Sequence, residues 1–140
     1  MELIIQGNTA DSDYIREQII AYNMEQLPDS VKTAKQSFCF KIEDPQTKKI
    51  IAGITATAFW YHLHIDFLWV DSNNRGKGYG RQLLKRIEET AKENQCRLLF
   101  LDSFSFQAPD FYKKQGYQMV GKIEDHPEGY SLHFLEKRLK

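Results

Sequence analysis

The stretch that most constrains this chain is Val70-Asp71-Ser72-Asn73-Asn74-Arg75-Gly76-Lys77-Gly78-Tyr79-Gly80-Arg81, set between an apolar run and a segment of strong helical periodicity. Glycines alternate at 76, 78 and 80, so the backbone there can turn tightly and bring its N–H groups against a ligand with no Cβ atoms in the way. Beyond the loop, Leu83, Leu84, Ile87 and Ala91 recur at helical spacing. The loop therefore ends on a helix N-terminus, where unpaired N–H groups and the helix dipole favour a phosphate. Charge points the same way. No acid stands between Asp71 and Glu88, whereas Arg75, Lys77, Arg81, Lys85 and Arg86 are all basic in a chain of zero formal net charge.

Spacing narrows the choice of phosphate ligand. A nucleoside-triphosphate loop does not fit, because Lys77 is followed by Gly78 and no hydroxyl is placed for magnesium. A dinucleotide fingerprint fails as well, since Arg81 stands where its third glycine belongs. The pattern that is met is Arg75-x-x-Gly78-x-Gly80, and one helix and one strand later comes Ala108-x-x-Phe111-Tyr112-x-x-x-Gly116-Tyr117. In this order the two motifs resemble the coenzyme-A pyrophosphate loop and the C-terminal signature of the GCN5-related N-acetyltransferase (GNAT) family. The resemblance covers residues 63–117 closely and the remainder by the order of its elements.

At 140 residues the chain is expected to form a single domain over 1–140, with 41% hydrophobic and 13% aromatic residues to build its core. No apolar run approaches the ~20 residues that span a bilayer, so no membrane partner is expected. The balanced charge argues against a nucleic-acid binder, which usually carries a basic excess. Met1-Glu2-Leu3-Ile4-Ile5 shows neither a basic n-region nor a small-residue cleavage site, and the expected compartment is the cytoplasm. Cys39 and Cys96 lack Cys-x-x-Cys spacing and are expected as buried small hydrophobes rather than a disulfide or metal pair.

Taken in order, Leu3, Ile4 and Ile5 suit a short first strand. A helix follows, capped by Thr9 or Asp11, with Ile15, Ile19, Ile20 and Leu27 as its apolar face and Pro28 as its stop. Phe38, Phe40 and Ile42 alternate with Cys39, Lys41 and Glu43, and Asp44-Pro45-Gln46-Thr47 turns the chain into a second strand over 50–58. A further strand over 61–70 leads into the glycine loop and a helix over 78–94. A buried-type strand over 97–101 is expected parallel to it. A short helix within 107–117 closes at Gly116, and strands over 117–123 and 130–137 flank a turn at His126-Pro127-Glu128-Gly129.

The 61–70 strand changes character along its length. Odd positions Leu63, Ile65, Phe67 and Trp69 are apolar throughout, whereas even positions pass from His62, His64 and Asp66 to Leu68 and Val70. A polar patch leading into an apolar slot is what a charged substrate beside an apolar cofactor arm needs; a face that merely emerges from the protein would read the same way. His62-x-His64-x-Asp66 also resembles part of the zinc motif of metallo-β-lactamase-like hydrolases. Phe67 stands in place of that motif's last histidine, and His126 and His133 have no ligand spacing, so no metal is expected.

The GNAT resemblance implies an α/β fold: a mixed central sheet of about six to seven strands with a splayed parallel pair, here 61–70 and 97–101, flanked by about four helices. It implies acetyl-CoA as co-substrate, lying in the V between the splayed strands. Backbone groups of Leu68, Trp69 and Val70 would pair with the pantetheine arm. Those of Arg75, Gly76, Lys77, Gly78, Tyr79, Gly80 and Arg81 would hold the pyrophosphate, and Asp102 and Ser103 lie where a coenzyme contact is expected. A primary amine, on a small molecule or a protein, would attack the thioester directly, leaving the cysteines no catalytic role. Tyr112 would protonate the departing thiolate, which a phenol near pKa ~10 can do as a leaving group of about 8.5 gains charge. For the base, Asp66 ranks ahead of His64 because a carboxylate also attracts the cation. Two positions depart from the family: Ser72 stands where many members have Pro, and Asp102 where many have Asn. The competing reading is a GNAT-fold module that binds acyl-CoA without turnover, against which Tyr112 weighs. A monomer or homodimer is expected, with an edge strand near the C-terminus available for pairing.

Overall fold

Period-two alternation builds the sheet in this protein, whose computed structural model describes residues 3–140. The chain divides into two compact units, Met1–Lys32 and Thr33–Lys140.

In the larger unit, β1 (Gln36–Glu43) and β3 (His62–Val70) each run antiparallel to β2 (Ile50–Phe59) between them, and β4 (Leu98–Phe104) lies parallel to β3. With β5 (Gln118–Glu124) and β6 (Ser131–Arg138) they form one sheet in the order β1-β2-β3-β4-β6-β5. Ala52, Ile54, Ala56 and Ala58 of β2 and Leu63 and Ile65 of β3 point to one face and are buried. That face is covered by α2 (Tyr79–Glu93), whose Leu83, Leu84, Ile87 and Ala91 are the stripe expected from the spacing. Each such Leu or Ile contributes roughly 1.5–3 kcal/mol by leaving water. α3 (Pro109–Lys114) closes at Gly116, which has φ +95°, while Tyr117 N–H returns to the Tyr112 carbonyl. Tyr117 then donates its hydroxyl to Glu88 at 2.9 Å, and Lys137 bridges Glu88 and the Gln115 carbonyl. These bonds tie the end of α3 to α2 and β6.

β2 and β3 are joined by Trp60 and Tyr61, both at positive φ, the two-residue turn that follows the twist of a hairpin. So short a turn fixes the register, pairing Phe59 with His62 and Thr57 with His64. Strict alternation along β3 then breaks. Ala56 pairs with Ile65 but Thr55 pairs with Phe67, so Asp66 is the extra residue of a β-bulge. The slip exchanges the faces. Leu68 and Val70 continue the core side, whereas Phe67 (77% exposed) and Trp69 (49% exposed) turn to the open side with His62 and His64. The unbroken apolar row of odd residues expected from the sequence is therefore two half-rows on opposite faces.

The smaller unit holds α1 (Thr9–Gln26) and a 3-10 turn, Asp29–Val31. The cap of α1 is Asn8, one residue before Thr9 and three before Asp11, the positions expected. Asn8 accepts from Asp11 N–H and Asp11 accepts from Asn8 N–H, a reciprocal capping box. Pro28 follows the helix end as expected. The first strand expected at Leu3, Ile4 and Ile5 does not form; a three-residue apolar run has no ladder to join, and these residues are exposed. Ile15, Ile19 and Ile20 are exposed as well, because a unit with one helix has no second element on which to bury a stripe. Among the described residues there are three helices rather than about four, and the polar connection after Pro28 makes a 3-10 turn. Among the described residues no helix is long and apolar enough to cross a membrane.

The cysteines differ from expectation at one position. Cys96 is buried and its thiol pKa is pushed up by that burial, but Cys39 alternates to the outer face of β1 and is exposed. One thiol should react promptly with a maleimide in the native protein and the second only on unfolding; two fast thiols in a mass-spectrometric time course would contradict this placement.

Candidate active site

The glycine loop takes the form its spacing requires. Gly76 and Gly78 have φ of +80° and +82°, conformations that side chains with a Cβ rarely adopt. Gly80 is different: it has no positive φ, and a Cβ there would make only an ordinary contact with the Phe111 ring at 3.5 Å, which marks where α3 packs beside the start of α2. Gly78 is the N-cap of α2 and no side chain caps that helix, leaving its first N–H groups for a ligand. Where many relatives would have proline, Ser72 opens a 3-10 turn held by Asp71, whose carboxylate accepts from Asn73 N–H at 3.0 Å and Asn74 Nδ2 at 3.1 Å.

Between β3 and β4 the ladder runs only from His62 and Leu98 to His64 and Phe100. Past that point the strands part, and Leu68, Trp69 and Val70 line a cleft of about 830 Å³. Arg75, Gly76, Gly78, Tyr79, Gly80 and Arg81 form one wall, and Tyr112 stands on the other. Lys77, Asp102 and Ser103 do not line it. Lys77 bonds to the Asn74 side chain, Ser103 is buried, and Asp102 faces His64. The cleft also takes Asn74, Phe106, Gln107, Ala108, Phe111 and Gln115. Of these, Ala108 and Phe111 belong to the second motif; Phe106 and Gln107 are brought in by the β4–α3 connection, for which spacing carries no signal.

Tyr112 is 8% exposed and packs edge-on against Phe111 and Tyr117. Burial pushes its phenol up to about 12, so it carries its proton at neutral pH.

On the open face, at the last rung before the strands part, a polar cluster gathers. His64 Nδ1 lies 2.6 Å from Asp66 Oδ1, Thr57 Oγ1 donates to Asp66 Oδ2 at 2.8 Å, and His64 Nε2 lies 3.4 Å from Asp102 Oδ1. Each ring nitrogen of His64 therefore faces a carboxylate, Asp66 closely and Asp102 at the limit of hydrogen-bond distance, and because a carboxylate only accepts, the short contact to Asp66 calls for a hydrogen on Nδ1. The His64 ring rests against Phe100, while His62 packs edge-on against Phe59. Burial, and then the charge of His64, lowers the His62 pKa. Among the described residues no group of three or more His, Cys, Asp and Glu could hold a metal ion.

Comparison with known proteins agrees with this geometry. A profile of the acetyltransferase (GNAT) family matches residues 8–117. Blasticidin-S acetyltransferase of Streptomyces morookaense is 38% identical over 92 residues, which is 65% of this chain and 68% of that protein. A crystal structure of an acetyltransferase from Bacillus cereus ATCC 14579 has a TM-score of 0.96 at 51% identity, covering 99% of this chain and 98% of that one. A structure assigned as a streptothricin acetyltransferase of Bacillus anthracis str. Ames, solved with acetyl coenzyme A, shares the fold at TM-score 0.66 and 17% identity over 81% of this chain and 69% of that one. The splayed sheet, the uncapped glycine loop and the match over 8–117 converge: the chain belongs to the acetyltransferase (GNAT) family and is an acetyltransferase.

Proposed function

We propose that this protein transfers the acetyl group of acetyl-CoA to a primary amine by direct attack, its single domain being residues 1–140. The observation that carries this reading is the position of the His64–Asp66 pair at the rung where β3 and β4 part, with the glycine loop and Tyr112 lining the cleft beyond. The match over 8–117 crosses the boundary between the two compact units and supports one functional domain. Acetyl coenzyme A in the Bacillus anthracis structure supports the donor. Free cysteines, one of them exposed, fit a reducing cytoplasm.

The pyrophosphate would be held by N–H groups of the 75–81 loop and the start of α2, with Arg75 and Arg81 beside it. Leu68, Trp69 and Val70 lie where the parted strands leave backbone groups of β3 free for the pantetheine arm. Asp102 would draw an ammonium to the open face, and His64 Nε2 would take its proton. The hydrogen bonds favour His64 as the proton acceptor and Asp66 as its support, because both Asp66 oxygens are already engaged. The amine lone pair then bonds to the carbonyl carbon, whose oxygen becomes anionic and is stabilised by a backbone N–H. As the intermediate collapses, the C–S bond breaks and Tyr112 gives its proton to the sulfur.

Mixing protein, acetyl-CoA and an amine panel with detection of free thiol tests the activity. The panel begins with blasticidin S and streptothricin, the compounds named in the relatives, and includes a lysine peptide. Acetyl-CoA should bind by calorimetry without magnesium and be unaffected by EDTA; tight magnesium-dependent ATP binding with none of coenzyme A would overturn the assignment. Gly78→Val should weaken acetyl-CoA binding by roughly tenfold or more, since a β-branched residue at positive φ costs about 1–3 kcal/mol. A Cβ at Gly78 would meet only Arg81 at 3.8 Å, so the effect comes from backbone conformation rather than crowding. Wild-type affinity in that variant would remove the loop from the binding site.

A further inference from the structure

We infer that Thr57 is a positioning residue, whose hydroxyl pins the Asp66 carboxylate so that Asp66 in turn holds the His64 ring. The inference rests on the reading of His64 as proton acceptor. Thr57 lies on β2 directly opposite His64, in the register set by the turn at Trp60 and Tyr61. Asp66 has no residue opposite it, because the bulge passes from the Ala56–Ile65 pair to the Thr55–Phe67 pair. A carboxylate on the extra residue of a bulge lacks the cross-strand neighbour that ordinarily limits its rotamer. Here two donors on different strands take that neighbour's place: His64 Nδ1 at one oxygen and Thr57 Oγ1 at the other. Hydrogen bonds to an ionised acceptor are the stronger kind, and with both oxygens engaged the carboxylate cannot rotate without breaking one. The ring is thereby held with Nδ1 on Asp66 and Nε2 turned toward Asp102.

Strand formation alone does not call for a hydroxyl, because valine has the same branched shape and suits a strand equally well. Thr57→Val therefore removes the pin and little else. The groups facing His64 are Asp66 and His62 from its own strand, Asp102 and the Phe100 ring from β4, and from β2 only the uncharged Thr57. With Asp66 free to rotate, His64 loses part of a fixed negative neighbour.

The test uses the full chain and NMR of its histidine rings over a pH series, with the His64 signals identified by their loss in His64→Gln. In wild type and Thr57→Ser the Nδ1 proton of His64 is visible; in Thr57→Val that proton broadens. With the best amine of the panel, Thr57→Val lowers kcat by about tenfold to a hundredfold at unchanged KM, the range of one hydrogen bond to a charged group, and Thr57→Ser restores it. A Thr57→Val protein that keeps the sharp Nδ1 proton and turns over like wild type overturns the inference, as does a serine variant that loses as much as the valine one. If Thr57→Val does not fold, Thr57→Ala is read by the same criteria. Full activity in His64→Gln would instead defeat the underlying reading, whatever Thr57 does.

Discussion

Tyr112→Phe lowers kcat by about 10²-fold and leaves acetyl-CoA affinity unchanged, the signature of a proton donated only as the thiolate departs. The substitution keeps the ring, and with it the edge-on contacts to Phe111 and Tyr117, so a change in packing does not enter the comparison. Steady-state kinetics beside calorimetric binding of coenzyme A separates the two quantities. An unchanged kcat would return Tyr112 to a purely structural role. Burial of the phenol adds a pH dependence of known sign. Its pKa is raised from 10.0 to about 12, so the stability linked to the neutral form is intact below about pH 10 and is lost as pH rises through about 12. Two units correspond to about 3 kcal/mol at most. Tyr112→Phe should therefore flatten the loss of stability between pH 10 and 12 in denaturant melts; identical slopes in both proteins would contradict the buried phenol.

His64→Gln lowers kcat/KM by about 10²-fold near neutrality, and the deficit shrinks as pH approaches the pKa of the free amine, where no base is needed. Asp66→Asn loses activity too, since an amide can donate to Nδ1 and hold the ring with its hydrogen on Nε2. A pH profile of both variants distinguishes the roles. An inactive Asp66→Asn beside an active His64→Gln would move the base to Asp66. A rise in KM at constant kcat would leave either residue only the task of attracting the cation. Wild-type kinetics in both would remove the pair from the reaction.

The coenzyme side of this protein was legible because it is built from contiguous backbone. Two glycines at positive φ, an uncapped helix start and the stripe Leu83, Leu84, Ile87 and Ala91 all lie within residues 76–91. The acceptor side was legible only in part. His64 and Asp66 stand out in one strand, but Thr57 is nine residues from Asp66 and Asp102 is 38 from His64. Nothing in their own surroundings marks either residue as a partner. Asp102 in particular is expected as a coenzyme contact through the family resemblance, and its carboxylate faces a histidine on the neighbouring strand.

The sequence by itself determined what depends on neighbours along the chain: the turn after Asp44, the buried stripe of α2, the alternation along β1 and the glycine-rich passage from strand to helix. The tertiary structure alone decided which way Phe67 and Trp69 point. Alternation has a period of two residues, and a single unpaired residue reverses it. Whether Asp66 is that residue depends on how β2 pairs with β3, on hydrogen bonds between strands that no spacing along one strand encodes. The same register brings Thr57, His64 and Asp66 together, and β3 parts from β4 after His64, with the cleft lined further along β3 by Leu68, Trp69 and Val70.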